Sequence, residues 1–146
     1  MREEDRQALA NLFQSLSNLF RSISPYAESV RVYNAFKSFL NRAKELYYVE
    51  VKEKTPELSN LIDMGYKLLS EMPKCMSPTQ NCRNEHNNWG LRVQELTYKI
   101  VSKFKEKGID FGYSEVSAPF KLDEENLIKI GLIVVGFIIL SNLLKR

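Results

Sequence analysis

Cys75, Cys82 and His86 are the only residues whose type and spacing suggest chemistry. Together they make a C-x6-C-x3-H pattern, and His86 is the sole histidine of the chain. The two cysteines flank a short polar stretch that holds Pro78. In an oxidising compartment this ring favours a disulfide worth roughly 2–3 kcal/mol through chain entropy. In a cytosol the same residues stay reduced, and the cytosolic reading below therefore leans toward free thiols. A closed structural zinc site needs four ligands, and only Glu85 or solvent is at hand to complete this set. No metal and no cofactor are therefore expected. A Cys82–His86 nucleophilic pair lacks both an orienting third group and an oxyanion pocket. The chain carries no P-loop, G-x-G-x-x-G, G-x-S-x-G or H-E-x-x-H motif. The remaining carboxylates are interleaved with Lys and Arg, as solvated helix faces are. The sequence thus gives no catalytic residues, and the expectation is a protein that is not an enzyme.

The elements that hold these residues follow from hydrophobic periodicity. Residues 3–23 form an amphipathic helix, with Leu9, Leu12, Phe13, Leu16, Leu19, Phe20 and Ile23 along one face. From Gln7 to Phe20 the same helix holds no charge at all. A face of Gln, Asn, Ser and Ala suits a bundle helix buried on more than one side, or an interface with another subunit. Helices that lie on membranes usually carry Lys and Arg on the polar face. Asn11, Gln14 and Asn18, with Leu9 and Leu16, are the interface candidates.

Ser24-Pro25 and Thr55-Pro56-Glu57 each place a capping hydroxyl before a proline, which marks a helix start. A second helix is expected to run to about Lys54. Tyr26, Val30, Tyr33, Phe36, Leu40, Ala43 and Tyr47 form its seam, widened by Val32, Phe39 and Leu46. The third points Leu58, Leu61, Ile62, Tyr66, Leu69 and Met72 inward and stops before Pro73. A fourth is expected from Trp89, capped by Asn88, with Val93, Leu96, Ile100 and Phe104 buried and Gly108 ending it. Residues 109–122 have no helical period and read as a linker packed by Phe111, Tyr113 and Phe120. This interruption weighs against a SNARE-type protein.

The strongest signal is the run LIKIGLIVVGFIILSNLL at 127–144. Eighteen helical residues at ~1.5 Å each reach about 27 Å, close to the hydrocarbon thickness of a thin bilayer. Leu127, Ile130, Leu132, Ile133, Val134, Val135, Phe137, Ile138, Ile139 and Leu140 are the expected anchor residues. Lys129 has a stem long enough to carry its ammonium to the interface. Asp123 through Asn126 precede the run, and Lys145 and Arg146 follow it. The 21 basic and 18 acidic residues divide unevenly. Three bases, Lys129, Lys145 and Arg146, follow the last acid, Glu125, so the chain before them is neutral. A neutral body has no general field for phosphate, and nucleic acid is not an expected partner.

Asn88-Trp89-Gly90 and a C-terminal apolar tail with basic residues are similar to features of the Bcl-2 family. There an Asn-Trp-Gly-Arg segment opens the central helix; here Leu91 follows the glycine and Arg92 comes one position later. The resemblance implies a tail-anchored regulator that binds a partner helix in a groove, lined in this chain by the second and fourth helices.

The leading expectation is an all-α protein. A small four-helix bundle-like domain occupies 1–108, a linker 109–122, and one C-terminal transmembrane helix lies in 123–146. The function expected is structural and non-catalytic: a single-pass, tail-anchored membrane protein working through protein–protein interaction. It would anchor a helical module of a larger assembly to a bilayer, as an accessory subunit of a membrane complex or as a viral protein joining capsid to membrane. Its expected partners are membrane lipid and other protein subunits. The N-terminus, MREEDRQALANLF, has no signal-peptide character, which favours a cytosolic body. The positive-inside rule would instead put the basic C-terminus in the cytoplasm.

Overall fold

The computed structural model describes residues 3–112. They form four helices with no strand among them: α1 (Glu3–Phe20), α2 (Pro25–Glu50), α3 (Pro56–Ser70) and α4 (Gln80–Glu106). Consecutive helices pack on one another, and α4 also contacts α1 and α2. The result is a helical bundle in which α2 and α4 form the shared centre and α1 and α3 flank them.

Local sequence explains most helix ends. Pro25 and Pro56 sit in the first turns of α2 and α3, and the Thr55 hydroxyl accepts from the backbone N–H of Leu58. Helix α1 stops at Phe20, short of the expected Ile23, which is 79% exposed. Helix α2 stops at Glu50 rather than Lys54. There Val51 turns to extended backbone, its side chain joins the core, and Lys54 Nζ donates to its carbonyl. The Tyr47 hydroxyl donates to the Thr55 carbonyl at 2.9 Å and fixes the α2–α3 connection.

The fourth helix departs most from expectation. It begins at Gln80, not Trp89, and its cap is Thr79, whose hydroxyl accepts from the N–H of Cys82 at 3.2 Å. Asn88 is well inside the helix. The segment QNCRNEHNN is rich in asparagine and has low intrinsic helicity. Burial of Cys82, His86 and Trp89 on one face overrides that preference.

The core is continuous from Leu9 to Phe111. The expected inward face of α1 is present from Leu9 to Leu19, with Phe20 half-buried. On α2 the widening positions Val32, Phe39 and Leu46 are fully buried, whereas Tyr26, Val30 and Tyr33 are only partly so. Gly65 brings α3 close to α2. A Cβ there would meet Leu40 Cδ2 at 2.5 Å and Cδ1 at 2.9 Å. Phe111, which follows α4, packs against Phe39 and Phe104 with ring centroids 5.5 and 5.4 Å away. Gly108 permits this return by adopting a φ of 86°.

The first and second helices are also joined by a charged cluster. Asp5 is 3% exposed and pairs with Arg42 Nε. The same guanidinium reaches Glu4 at 3.2 Å and Glu45 at 3.0 Å. Hydrogen bonding to Asp5 raises the Arg42 pKa above its ordinary value; burial opposes this, and Asp5, Glu4 and Glu45 add favourable charge.

Among the described residues no helix is long and apolar enough to cross a membrane. The expected anchor, from Leu127 to Leu140, lies outside the described residues, as does residue 113 onward of the expected linker.

Removing Arg42 leaves the buried Asp5 carboxylate without its main partner, and breaking such a pair is costly. Arg42→Met is expected to destabilise the bundle by about 3 kcal/mol, and Asp5→Leu in the same chain should recover most of that loss. Urea denaturation of both variants in detergent measures this. A double variant no more stable than Arg42→Met would refute the coupling.

Candidate functional site

Two surfaces and one side-chain cluster emerge from the fold. The first surface is the uncharged face of α1. Asn11 and Gln14 are exposed and Asn18 is half-buried. The amides pair along the helix: Gln7 Nε2 donates to Asn11 Oδ1 at 2.9 Å, and Gln14 Nε2 donates to Asn18 Oδ1 at 3.2 Å. Gln7, Asn11, Gln14 and Asn18 follow one another at spacings of four, three and four, so they form one stripe. Neighbouring helices of the bundle do not cover it. Leu9 and Leu16 must be reassigned. Both are 0% exposed core residues and offer nothing to a partner.

The second surface lies between α3 and α4. An open depression of about 240 Å³ is lined by Met64, Lys67, Leu68, Glu71, Arg92, Glu95, Leu96 and Lys99. Arg92 Nη2 donates to Glu71 Oε1 at 2.7 Å across it. A neighbouring depression runs along Glu57, Leu61, Tyr98 and Lys103. Lys103 meets Glu57 at 3.0 Å, and this hydrogen bond is the main cause of its raised pKa. Both depressions separate α3 from α4, whereas the Bcl-2 resemblance implied a groove between α2 and α4. The residues of that resemblance are also displaced. Trp89 and Gly90 are buried more than two turns inside α4 instead of opening it. The indole N–H of Trp89 donates to the Leu68 carbonyl at 2.8 Å, and a Cβ at Gly90 would come within 2.7 Å of Leu19 Cδ2. Trp89 thus ties α4 to α3, and Gly90 lets α1 approach.

The cluster is at the opposite end of α4 from Lys103. Cys75 and Cys82 form a disulfide with a Cα–Cα distance of 5.9 Å. The expected lean toward free thiols is therefore corrected: the bond joins the α3–α4 connection to the first turn of α4. Their sulfurs and a ring nitrogen of His86 all lie within 4.8 Å of one another. His86 is 0% exposed, and both ring nitrogens are engaged. Nε2 lies 2.9 Å from the Cys75 carbonyl and Nδ1 lies 2.7 Å from the Ser29 hydroxyl. A carbonyl only accepts, so Nε2 carries the proton and the Ser29 hydroxyl donates to Nδ1. Tyr26 meets the imidazole edge-on at 6.0 Å. His86 therefore joins α2, α4 and the connection after α3.

Sequence reasoning identified Cys75, Cys82 and His86 but missed Ser29 and Tyr26. Ser29 falls on the buried side of α2 among apolar residues. A lone buried serine in such a seam is the available signal, but its partner stands 57 positions away. The basic and acidic residues around the α3–α4 depressions looked like ordinary solvated faces.

Comparison with known proteins adds no relative: no protein-family model matches the chain, and neither a curated protein nor a solved structure matches it.

Ser29→Ala removes the donor to a fully buried ring nitrogen and leaves that nitrogen unsatisfied. The expected loss is about 1–3 kcal/mol of stability, read from the urea midpoint of the full-length chain. An unchanged midpoint would show that the imidazole does not depend on this bond.

Proposed function

We propose that this chain is a non-catalytic, single-pass membrane protein that anchors a helical module of a larger assembly to a bilayer. The observation that carries the proposal is the apolar run at 127–144, bounded by Asp123–Asn126 and by Lys145–Arg146. Its length suits a bilayer core, and its flanks suit the two interfaces. In this reading the bundle is the working module, and its Cys75–Cys82 bond suits an oxidising side of the membrane, the orientation the positive-inside rule gives. A structural or accessory subunit of a membrane complex has this organisation, and so does a viral link between capsid and membrane.

The α1 stripe supports the second half of the proposal. A face without charge or large apolar groups is unusual on a free helix exposed to water. Asn11, Gln14 and Asn18 offer both donors and acceptors to a neighbouring subunit. Burying them costs little as long as each amide finds a partner. Ion pairs would instead require complementary charges on the other side.

Two measurements test the proposal. Carbonate extraction should keep the full chain in the membrane pellet and release a chain ending at Leu122; release of both would refute the anchor. In mild detergent the full chain should migrate in an assembly larger than itself. Asn11→Glu with Asn18→Glu should reduce it to the single chain while its circular dichroism and urea midpoint stay unchanged. An assembly of unaltered size would remove α1 as the contact.

A further inference from the structure

We propose that Cys75, Cys82 and His86 are a redox-gated metal site, which takes Zn2+ when the disulfide is reduced and excludes it when the disulfide is formed. The three ligand groups are already gathered within 4.8 Å. Thiolate sulfur and imidazole nitrogen are the donors that zinc prefers, and around a tetrahedral ion two sulfurs stand about 3.7 Å apart. Reduction lets the sulfurs separate to that spacing without moving a helix, because Cys75 belongs to the irregular connection after α3. Cys82 and His86 are one turn apart on α4 and present their ligand atoms from one face.

Burial argues for a metal in the reduced form. Cys82 is 2% exposed and His86 is 0% exposed. Two thiolates beside a neutral imidazole hold a double negative charge, which a divalent cation neutralises. Cys75 is only partly buried, so ion and reductant have a way in. Ser29 supplies the outer support that metal-bound histidines usually have. The fourth position falls to solvent, because no further His, Cys, Asp or Glu belongs to the cluster among the described residues.

The chemistry balances with a dithiol as reductant. One of its thiolates attacks the Cys75–Cys82 bond and forms a mixed disulfide; its second thiol then displaces the remaining cysteine sulfur. The reductant leaves as a disulfide, and two electrons and two protons convert the bond to two thiols. Zinc binding releases both thiol protons to solvent. The imidazole stays neutral but changes tautomer: Nε2 turns from donor to ligand, and Nδ1–H donates to the Ser29 hydroxyl oxygen. The Cys75 carbonyl passes to water. The same connection is thus held to α4 by a covalent bond in one state and by a metal in the other.

Cobalt(II) is the probe, added to the full-length chain in detergent after reduction with a phosphine, and compared with the oxidised chain. The reduced protein should bind a single equivalent, with a near-ultraviolet thiolate-to-cobalt band and the visible bands of a four-coordinate site. Added Zn2+ should bleach both. The oxidised protein should show neither band. Cys75→Ser, at a partly exposed position, should keep the fold and weaken cobalt binding at least about tenfold, and Ser29→Ala should weaken it about tenfold. Reduced protein without the near-ultraviolet band would overturn the site. A band that survives unchanged in Cys75→Ser would do the same, and equal binding by the oxidised chain would overturn the gating. Each result is independent of where the chain resides.

Discussion

The bundle depends on a buried imidazole whose two nitrogens must both be satisfied. His86 meets that demand through the Ser29 hydroxyl on α2 and the Cys75 carbonyl after α3. The first third of α4 is helical for this reason and not through its own propensity. Four asparagines in nine residues would favour turns, but Cys82, His86 and Trp89 lie on one face, and that face has a place to go. Once this stretch is helical, Trp89 reaches the Leu68 carbonyl, Gly90 admits Leu19 and Phe20, and the lower half of α4 is aligned with the apolar seam of α2. Moving the start of α4 back to Trp89 would leave the imidazole, the indole and the disulfide without their partners.

That constraint also marks the limit of what the sequence disclosed. Helix α1 was legible from its apolar spacing, and α2 and α3 from that spacing together with a hydroxyl residue before proline at their starts, although only Thr55 caps with its side chain and Ser24 does not. Most of the inner faces of these three helices followed from the same spacing, although Tyr26, Val30, Tyr33, Leu61 and Tyr66 are only partly buried and Leu68, not expected inward, is buried. The start of α4 was hidden because its asparagines point to a loop; the Thr79 cap and the burial of Cys82, His86 and Trp89, with partners as far away as Ser29, reverse that preference. Ile23 misled for the opposite reason. It continues the α1 period, yet the helix has ended before the period does. The cysteine and histidine spacing announced a cluster, but neither the disulfide nor the second support on α2 could be read from it.

The α1 surface has a different logic. Its inner leucines answer to α2 and α4, and its outer amides answer to nothing within the bundle. Paired along the helix, the amides are content in water, so the face tolerates exposure and also accepts burial. Arg42, by contrast, uses all of its reach within the chain, binding Asp5, Glu4 and Glu45 where α1 meets α2. Charge on α1 is thus confined to its first turn, where Arg42 closes it against α2, and is absent from Gln7 to Phe20.

The order of contacts has a consequence for synthesis. Helix α4 touches each of the other three, and Phe111 completes the packing between Phe39 and Phe104. A growing chain that has released α1, α2 and α3 holds two helix pairs that share α2 but lack their common buttress. Those helices expose apolar seams until α4 emerges, in the vectorial manner of domains that fold from the N-terminus. The final closure waits for Phe111, and the interval before it is when the nascent bundle is most open to a chaperone or to premature association.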